Sequence, residues 1–313
     1  MPTDPQAART IRVATRRSPL ATAQAGQFAH ALAERIGHPV ELLLVTTTGD
    51  VDTTTPLTDL GGVGVFVGAV RDALRDGRAQ LGVHSLKDLP TDQPSDLVII
   101  ATPTREDPRD ALCSKGFQLS ELPTNARVGT GSPRRSAQLK AVRPDLQIVD
   151  LRGNVDTRLA KVTNADLDAV VLASAGLLRL NRGDAITEAL DVDVMVPAPG
   201  QGALAVEVSA ELSVTDPELA QALSDLDDPN TRAAVVAERA VLATLEAGCS
   251  APVGALATVI QGQLKLTARV VASDGATVLT EQVTGDPAAA DSLGTGLASR
   301  LLEQGAADLM GEQ

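Results

Sequence analysis

The stretch "IRVATRRSPLATAQAGQFAHALAERIG", residues 11–37, decides the fold. "IRVAT" (11–15) carries β-branched residues and reads as a strand. Ser18 then stands where a helix N-cap belongs, with Pro19 at the first helical position, and the helical pattern ends at Gly37. A strand that turns directly into a helix is the opening of a β–α unit.

Working outward, the alternation continues. "VELLLVTT" (40–47) is the next strand, and a glycine-rich loop, "LGGVGVF" (60–66), leads into the helix "VGAVRDALRDG" (67–77). "AQLGVHS" (79–85) is a strand that ends at "LKDLP", and "LVIIA" (97–101) closes the first group. In a second group, "ARVGT" (126–130) precedes a helix opened by Ser132 and Pro133, "QIVDL" (147–151) precedes one opened by Asn154, and "LDAVVLA" (167–173) leads into "SAGLLRL". This pattern predicts α/β domains with mainly parallel sheets. "PAPGQGALAVEV" (197–208) supplies one more strand, able to return the chain to the first domain. From about residue 228 the character changes to one helix, "TRAAVVAERAVLATLEAG", the strand runs "GALATVI", "LKLTARVVA" and "ATVLTEQV", and a helix from about 290 to 310. That is a small α+β domain.

Composition bounds the function. The 313 residues suit two or three domains. With three Phe and no Tyr or Trp, the cores must be built from Ala, Val, Leu and Ile. Net charge is 27 − 40 = −13, which argues against a nucleic-acid binder. The first residues lack the apolar region of a signal peptide, and no stretch approaches the roughly 18–20 apolar residues of a membrane span. Cys113 and Cys249 make no disulfide framework, and His30, His38 and His84 show no metal-ligand spacing. The chain reads as soluble, from a reducing compartment, without a metal.

Three strand-to-helix turns carry arginines. Arg16 and Arg17 stand just before one helix, Arg134 and Arg135 lie in the first turn of another, and Arg152 and Arg158 flank the cap Asn154. A helix N-terminus is partly positive, so cations there are unfavourable unless an anion binds. Within residues 129–158, six Lys and Arg face three Asp, a balance of +3 in a chain at −13. In an open α/β sheet such turns lie at the carboxyl edge, where ligands bind. The phosphate-loop pattern is absent, the glycines of "LGGVGVF" lack nucleotide-binding spacing and read as a mobile lid, and arginine fits carboxylates bidentately. A ligand with several carboxylates is expected.

"VHSLKDLP" (83–90) places Lys87 and Asp88 at a strand's carboxyl end. A carboxylate among arginines suits stabilising a developing cation or accepting a proton. His84 reads as a satisfied strand-end histidine, and Cys113 as core. Cys249, in "LEAGCSAPVG" (245–254), follows a helix C-terminus near Glu246 with no His nearby in sequence. Both features disfavour the thiolate, so a turnover nucleophile is not expected; a small structural cysteine is the first reading, and a group attached once is the alternative. A solute-binding protein on a similar two-domain fold would show the same anion cleft, without needing the cysteine loop.

Seven stretches carry a resemblance: "ATRRSPLATAQA", "VHSLKDLPT", "REDPRDAL", "VGTGSPRRSAQL", "LRGNVDTRL", "PAPGQGALAVE" and "LEAGCSAPVG", in this order. Together they resemble the porphobilinogen deaminase (hydroxymethylbilane synthase) family, over about residues 10 to 310. The resemblance implies two type II periplasmic-binding-protein-like α/β domains with a central cleft, plus the small α+β domain. The expected boundaries are 1–103 with 202–224, 108–197, and 228–313. It implies condensation of four porphobilinogen molecules into a linear tetrapyrrole with release of ammonia. The chain grows on one dipyrromethane cofactor held by a thioether to Cys249. Asp88 would be the catalytic carboxylate, stabilising the cation left when ammonia departs. Lys87, Ser18, Thr130, Ser132, Arg134, Arg135 and Arg158 would hold the cofactor. Arg16, Gln24, Arg152, Arg179 and Phe66 would meet substrate. A cytoplasmic monomer is implied, with no nucleic-acid or membrane partner. Asp59 and Val63 depart from lysines common in the family's lid loop, and Ala247 replaces the first glycine before the cysteine.

Overall fold

The computed structural model describes residues 9–46, 64–248 and 251–310. The described chain forms two compact units, residues 1–104 with 204–229 and residues 105–203 with 230–313.

In the first unit, β1 (Ile11–Arg16) leads into α1 (Pro19–Ile36), followed by β2 (Val40–Val45), α2 (Gly64–Arg75), β3 (Leu81–Ser85) and β4 (Leu97–Ala101). The opening stretch folds as its residues predict. Ser18 Oγ accepts the Ala21 N–H at 3.3 Å, and Gly37 closes the helix at φ +68°, its N–H donating to Ala33 O. A left-handed φ is where glycine is favoured. α1 buries Ala25, Phe28, Ala29 and Leu32. Full burial of Phe28 and Leu32 contributes about 1.5–3 kcal/mol each. They pack on Ile11, Val13, Leu81 and Val83, while Ala14 faces the apolar side of α2. Both faces of the sheet are covered, which is why its strands read as near-continuous apolar runs.

The second unit begins with β5 (Asp110–Ser114), then β6 (Arg127–Gly129), α3 (Pro133–Val142), β7 (Gln147–Val149), α4 (Val155–Thr163), β8 (Ala169–Ala173), α5 (Ser174–Arg179) and β9 (Glu188–Ala189). The chain then returns to the first unit as β10 (Leu204–Ser209), the two short helices α6 (Leu212–Thr215) and α7 (Pro217–Ser224) following. Both sheets use one plan. The strand orders are β2-β1-β3-β10-β4 and β7-β6-β8-β5-β9. In each, four strands run in one direction, and β10 or β5 runs antiparallel between its two neighbours. This is the type II periplasmic-binding-protein-like arrangement, used twice.

The C-terminal part comprises α8 (Pro229–Thr244), the antiparallel sheet β11 (Val253–Ile260), β12 (Gln263–Val271), β13 (Val278–Gly285), then α9 (Ala290–Glu303) and α10 (Ala306–Met310). It has its own core of Val241, Leu264, Leu266, Leu297 and Leu301. Polar bonds tie it to the rest of its unit. Lys140 Nζ donates to Ser273 O at 2.9 Å, and Ala255 N–H to Pro197 O at 2.9 Å. Glu238, fully buried on α8, accepts from Arg105 at 2.6 and 3.0 Å, Gly200 N–H at 2.6 Å and Ala257 N–H at 2.7 Å.

Candidate active site

In the first unit the strand ends build a pocket of about 60 Å³, lined by Arg16, Ser18, Gln24, His84, Ser85 and Asp88, among others. β1 delivers Arg16, the N-cap of α1 delivers Ser18 and its second turn delivers Gln24; Gln24 is buried and its Oε1 accepts Ser85 Oγ at 3.0 Å. The first turn of α1 contains no acidic residue, so the positive helix end is left for another anion. β3 ends at Ser85, and a 3-10 turn, Leu86–Asp88, carries Lys87 and Asp88, both half-buried.

His84 departs from the sequence expectation. It lines the same pocket, and its Nε2 is buried without a hydrogen-bond partner. The nearest carboxylate oxygen is Glu207 Oε2, at 3.4 Å. Glu207 lies on β10, fully buried, and accepts from Arg71 Nε and Nη2 at 3.0 and 2.8 Å and from Gln93 Nε2 at 2.7 Å. Burial alone would raise its carboxyl, but the facing His84 imidazole and the Arg71 and Gln93 donors outweigh that and hold it down to about 2. Sequence reasoning missed Glu207. The signal was a lone carboxylate inside "LAVEVS", a run otherwise fit to be buried on both faces.

In the second unit, Thr130 and Ser132 sit between β6 and α3. Thr130 Oγ1 accepts Ser132 N–H at 3.2 Å, and Ser132 Oγ accepts Arg135 N–H at 3.4 Å. Arg134 and Arg135 are both buried and converge on Asp110 of β5, which is fully buried. Arg134 Nη1 and Nη2 reach Asp110 at 2.7 and 3.2 Å; Arg135 Nε and Nη2 reach it at 2.8 and 2.7 Å. Val196 O, Val171 O and Gln201 Oε1 take further donors. The forks pictured as open to ligand carboxylates are thus largely committed to Asp110 and carbonyls. Arg134 Nε is the exception, buried with no hydrogen-bond partner. Burial would raise Asp110's carboxyl; the charges of Arg134 and Arg135 outweigh it and hold it well below the usual carboxylate range.

Arg158 and Arg179 belong to this unit too. Arg158 Nε donates to Gly153 O at 2.8 Å and Arg179 Nη2 to Gly202 O at 2.7 Å. Desolvation lowers both, and the Arg135 charge lowers Arg158 further. A desolvated guanidinium crowded by another cation is a seat for an anion. Arg152 is exposed, with Nε 3.9 Å from Asp150. Cys113 is buried on β5 and burial pushes its thiol up to about 12.

Cys249 lies outside the described residues, as do Asp59, Val63 and the side chain of Phe66. α8 ends at Thr244, so the cysteine does follow a helix C-terminus, with Glu246 in the left-handed region at φ +50°. Among the described residues no helix is long and apolar enough to cross a membrane, and no His, Cys, Asp and Glu cluster could hold a metal ion.

Residues 11–216 match the family described as "Porphobilinogen deaminase, dipyromethane cofactor binding domain", and residues 232–303 match its C-terminal domain. The chain belongs to the porphobilinogen deaminase family. It is 51% identical to "Porphobilinogen deaminase 1" of Streptomyces coelicolor, across 97% of this chain and 98% of that one. It is 52% identical to the porphobilinogen deaminase of Thermobifida fusca, across 96% of each, and 52% identical to that of Leifsonia xyli, across 96% of this chain and 94% of that one. A periplasmic substrate-binding protein of an ABC transporter from Coxiella burnetii superposes with a TM-score of 0.43 at 17% identity, over 71% of this chain and 94% of that one. Porphobilinogen deaminase is hydroxymethylbilane synthase, a transferase of porphyrin biosynthesis.

Proposed function

We propose that this chain condenses four porphobilinogen molecules head-to-tail into hydroxymethylbilane, releasing ammonia, with a dipyrromethane primer on Cys249. The observation that carries the reading is the pocket that gathers Asp88, Arg16, Ser18 and Gln24 at one sheet edge. The residues of the second unit fit the primer. A dipyrrole of this kind carries two carboxylates per ring. Arg158 and Arg179 are desolvated cations, and Arg134 Nε is an orphaned buried donor. Arg134, Arg135, Arg158, Thr130 and Ser132 would hold it together with Ser18 and Lys87. When bound, it supplies the pyrrole carbon on which the product grows.

The roles of the chain's own residues follow from their chemistry. Arg16, Gln24, Arg152 and Arg179 orient the substrate's acetate and propionate groups, with Phe66 beside them. Asp88 offsets the positive charge that develops on a pyrrole as its ammonia leaves, where fixed charge is worth most in a site shielded from water. Helix N-termini free of acidic residues add to the grip. The reading includes three domains, 1–103 with 202–224, 108–197 and 228–313, and a cytoplasmic monomer without nucleic-acid or membrane partners.

Intact mass tests it. The purified protein is expected to exceed its sequence mass by one dipyrrole, and Cys249→Ser to abolish both the excess and the activity. An unmodified mass with full activity overturns the reading.

A further inference from the structure

The first unit holds a polar chain that the roles above do not use. Arg71 on α2 grips Glu207 on β10, Glu207 faces His84 Nε2, and the His84 ring lines the pocket that contains Asp88. Replacing buried ions of this kind by apolar side chains is often neutral or stabilising. A fully buried carboxylate trained on a pocket-lining imidazole is therefore better explained by chemistry than by packing.

A neutral ring that turns its Nε2–H toward Glu207 Oε2, 3.4 Å away, keeps Nδ1 as its lone-pair nitrogen. Should Nδ1 take a proton, the imidazolium is stabilised by the carboxylate behind it. An oriented base backed by a buried acid is the logic of a histidine–carboxylate pair. The charged groups around His84 are Glu207 from β10, Arg71 from α2, Arg16 from the end of β1 and Asp88 from the turn after β3.

Joining two pyrroles needs such a base. The new bond forms between the aminomethyl carbon of porphobilinogen and a free ring carbon of the other pyrrole. The carbon–nitrogen bond breaks and ammonia leaves with its electron pair. The attacking ring carbon then holds one proton too many and must lose it to regain aromaticity. We propose that His84 is the base that takes this ring-carbon proton, on Nδ1, with Glu207 orienting the ring, while Asp88 offsets the positive charge. The proton then passes to water or to the departing ammonia. This rests on the Asp88 pocket being the site of condensation.

The experiment uses the full chain loaded with its primer. The sequence has three histidines, and His30 and His38 are exposed, so the His84 imidazole signal in a proton NMR spectrum is assigned by its loss in His84→Gln. In an Asp88→Asn background, where turnover stops, adding porphobilinogen is expected to shift the His84 signal and leave His30 and His38 unmoved. Kinetically, His84→Gln is expected to lower kcat about 100-fold with KM within about twofold. A kcat within twofold of wild type overturns the inference. So does an unmoved His84 signal in an Asp88→Asn enzyme that is inactive yet binds substrate, and in that case the Asp88 pocket reading survives. Normal turnover by Asp88→Asn removes both readings together. If His84→Gln does not fold, the NMR arm decides alone, because there His84 is native.

Discussion

The two α/β units use one strand plan to do different electrostatic work. In each, a fully buried carboxylate sits on the antiparallel strand of the sheet, Glu207 on β10 and Asp110 on β5. Glu207 is met by one arginine, a histidine and a glutamine. Asp110 is met by two arginines from the first turn of α3 and by Gln201 Nε2 at 3.0 Å. The first arrangement leaves an acid and an imidazole at a pocket; the second leaves a surplus of positive charge at a helix N-terminus. The proposed function assigns chemistry on a pyrrole to the first unit and the holding of its carboxylates to the second.

That division breaks most visibly at Asp88. Asp88→Asn is expected to lower turnover about 10³-fold or more with an unchanged melting temperature, the scale of losing one preorganised electrostatic group. Steady-state rates and thermal unfolding check it. A loss of stability matching the loss of rate would make Asp88 structural and erase the contrast.

The buried carboxylates come next. Asp110→Asn leaves two desolvated guanidinium groups around a neutral amide, and Glu207→Gln leaves one. Breaking a buried pair typically costs 3–5 kcal/mol. Asp110→Asn is expected at the upper end and Glu207→Gln at the lower, read as denaturant midpoints. Equal losses would mean that the second arginine adds nothing.

Acid sharpens the same comparison. The Glu207 carboxyl is depressed from 4.5 to about 2 in the folded state, so its contribution is fully present above pH 4.5 and is lost as pH falls toward 2. By linkage this amounts to roughly 3 kcal/mol. Asp110 is depressed still further, so its contribution persists to lower pH. Unfolding followed against pH in Glu207→Gln should lose part of the acid dependence seen in the wild type. An identical slope would mean that Glu207 is not ionised in the fold.

The sequence made the strand–helix alternation, the caps at Ser18, Ser132 and Asn154, and the return of the chain at β10 legible, because these depend on local pattern. β5 was not legible. "DALCS" opens on an aspartate after "REDPR", which resembles a turn, and its place in the sheet comes from Asp110 pairing with arginines 24 and 25 residues away. The destination of Arg134 and Arg135 was hidden for the same reason. Helix N-terminal arginines signal an anion, but local sequence cannot say whether that anion is a ligand or the protein's own carboxylate. His84 misled in the opposite direction, since its partner lies on a strand more than a hundred residues later.

The smallest expected effect separates the arginines that Asp110 does not hold. Arg158 is half-buried and desolvated beside Arg135, so an anion that reaches it gains a strong, poorly screened contact. Arg152 is exposed and already near Asp150, and an exposed pair contributes at most about 1 kcal/mol. Arg158→Gln removes a charged hydrogen bond of about 1.5–3 kcal/mol, hence a grip on the primer weakened about tenfold or more. Arg152→Gln should keep KM within about threefold. Initial rates against porphobilinogen concentration, with intact mass reporting how much chain carries the primer, check the ranking. Arg158→Gln should also leave a larger unloaded fraction, because the second unit is proposed to grip the primer before any substrate arrives. If Arg152→Gln proved the more damaging, desolvation would not be what makes an arginine useful in this unit, and the assignment of gripping to its buried cations would fall.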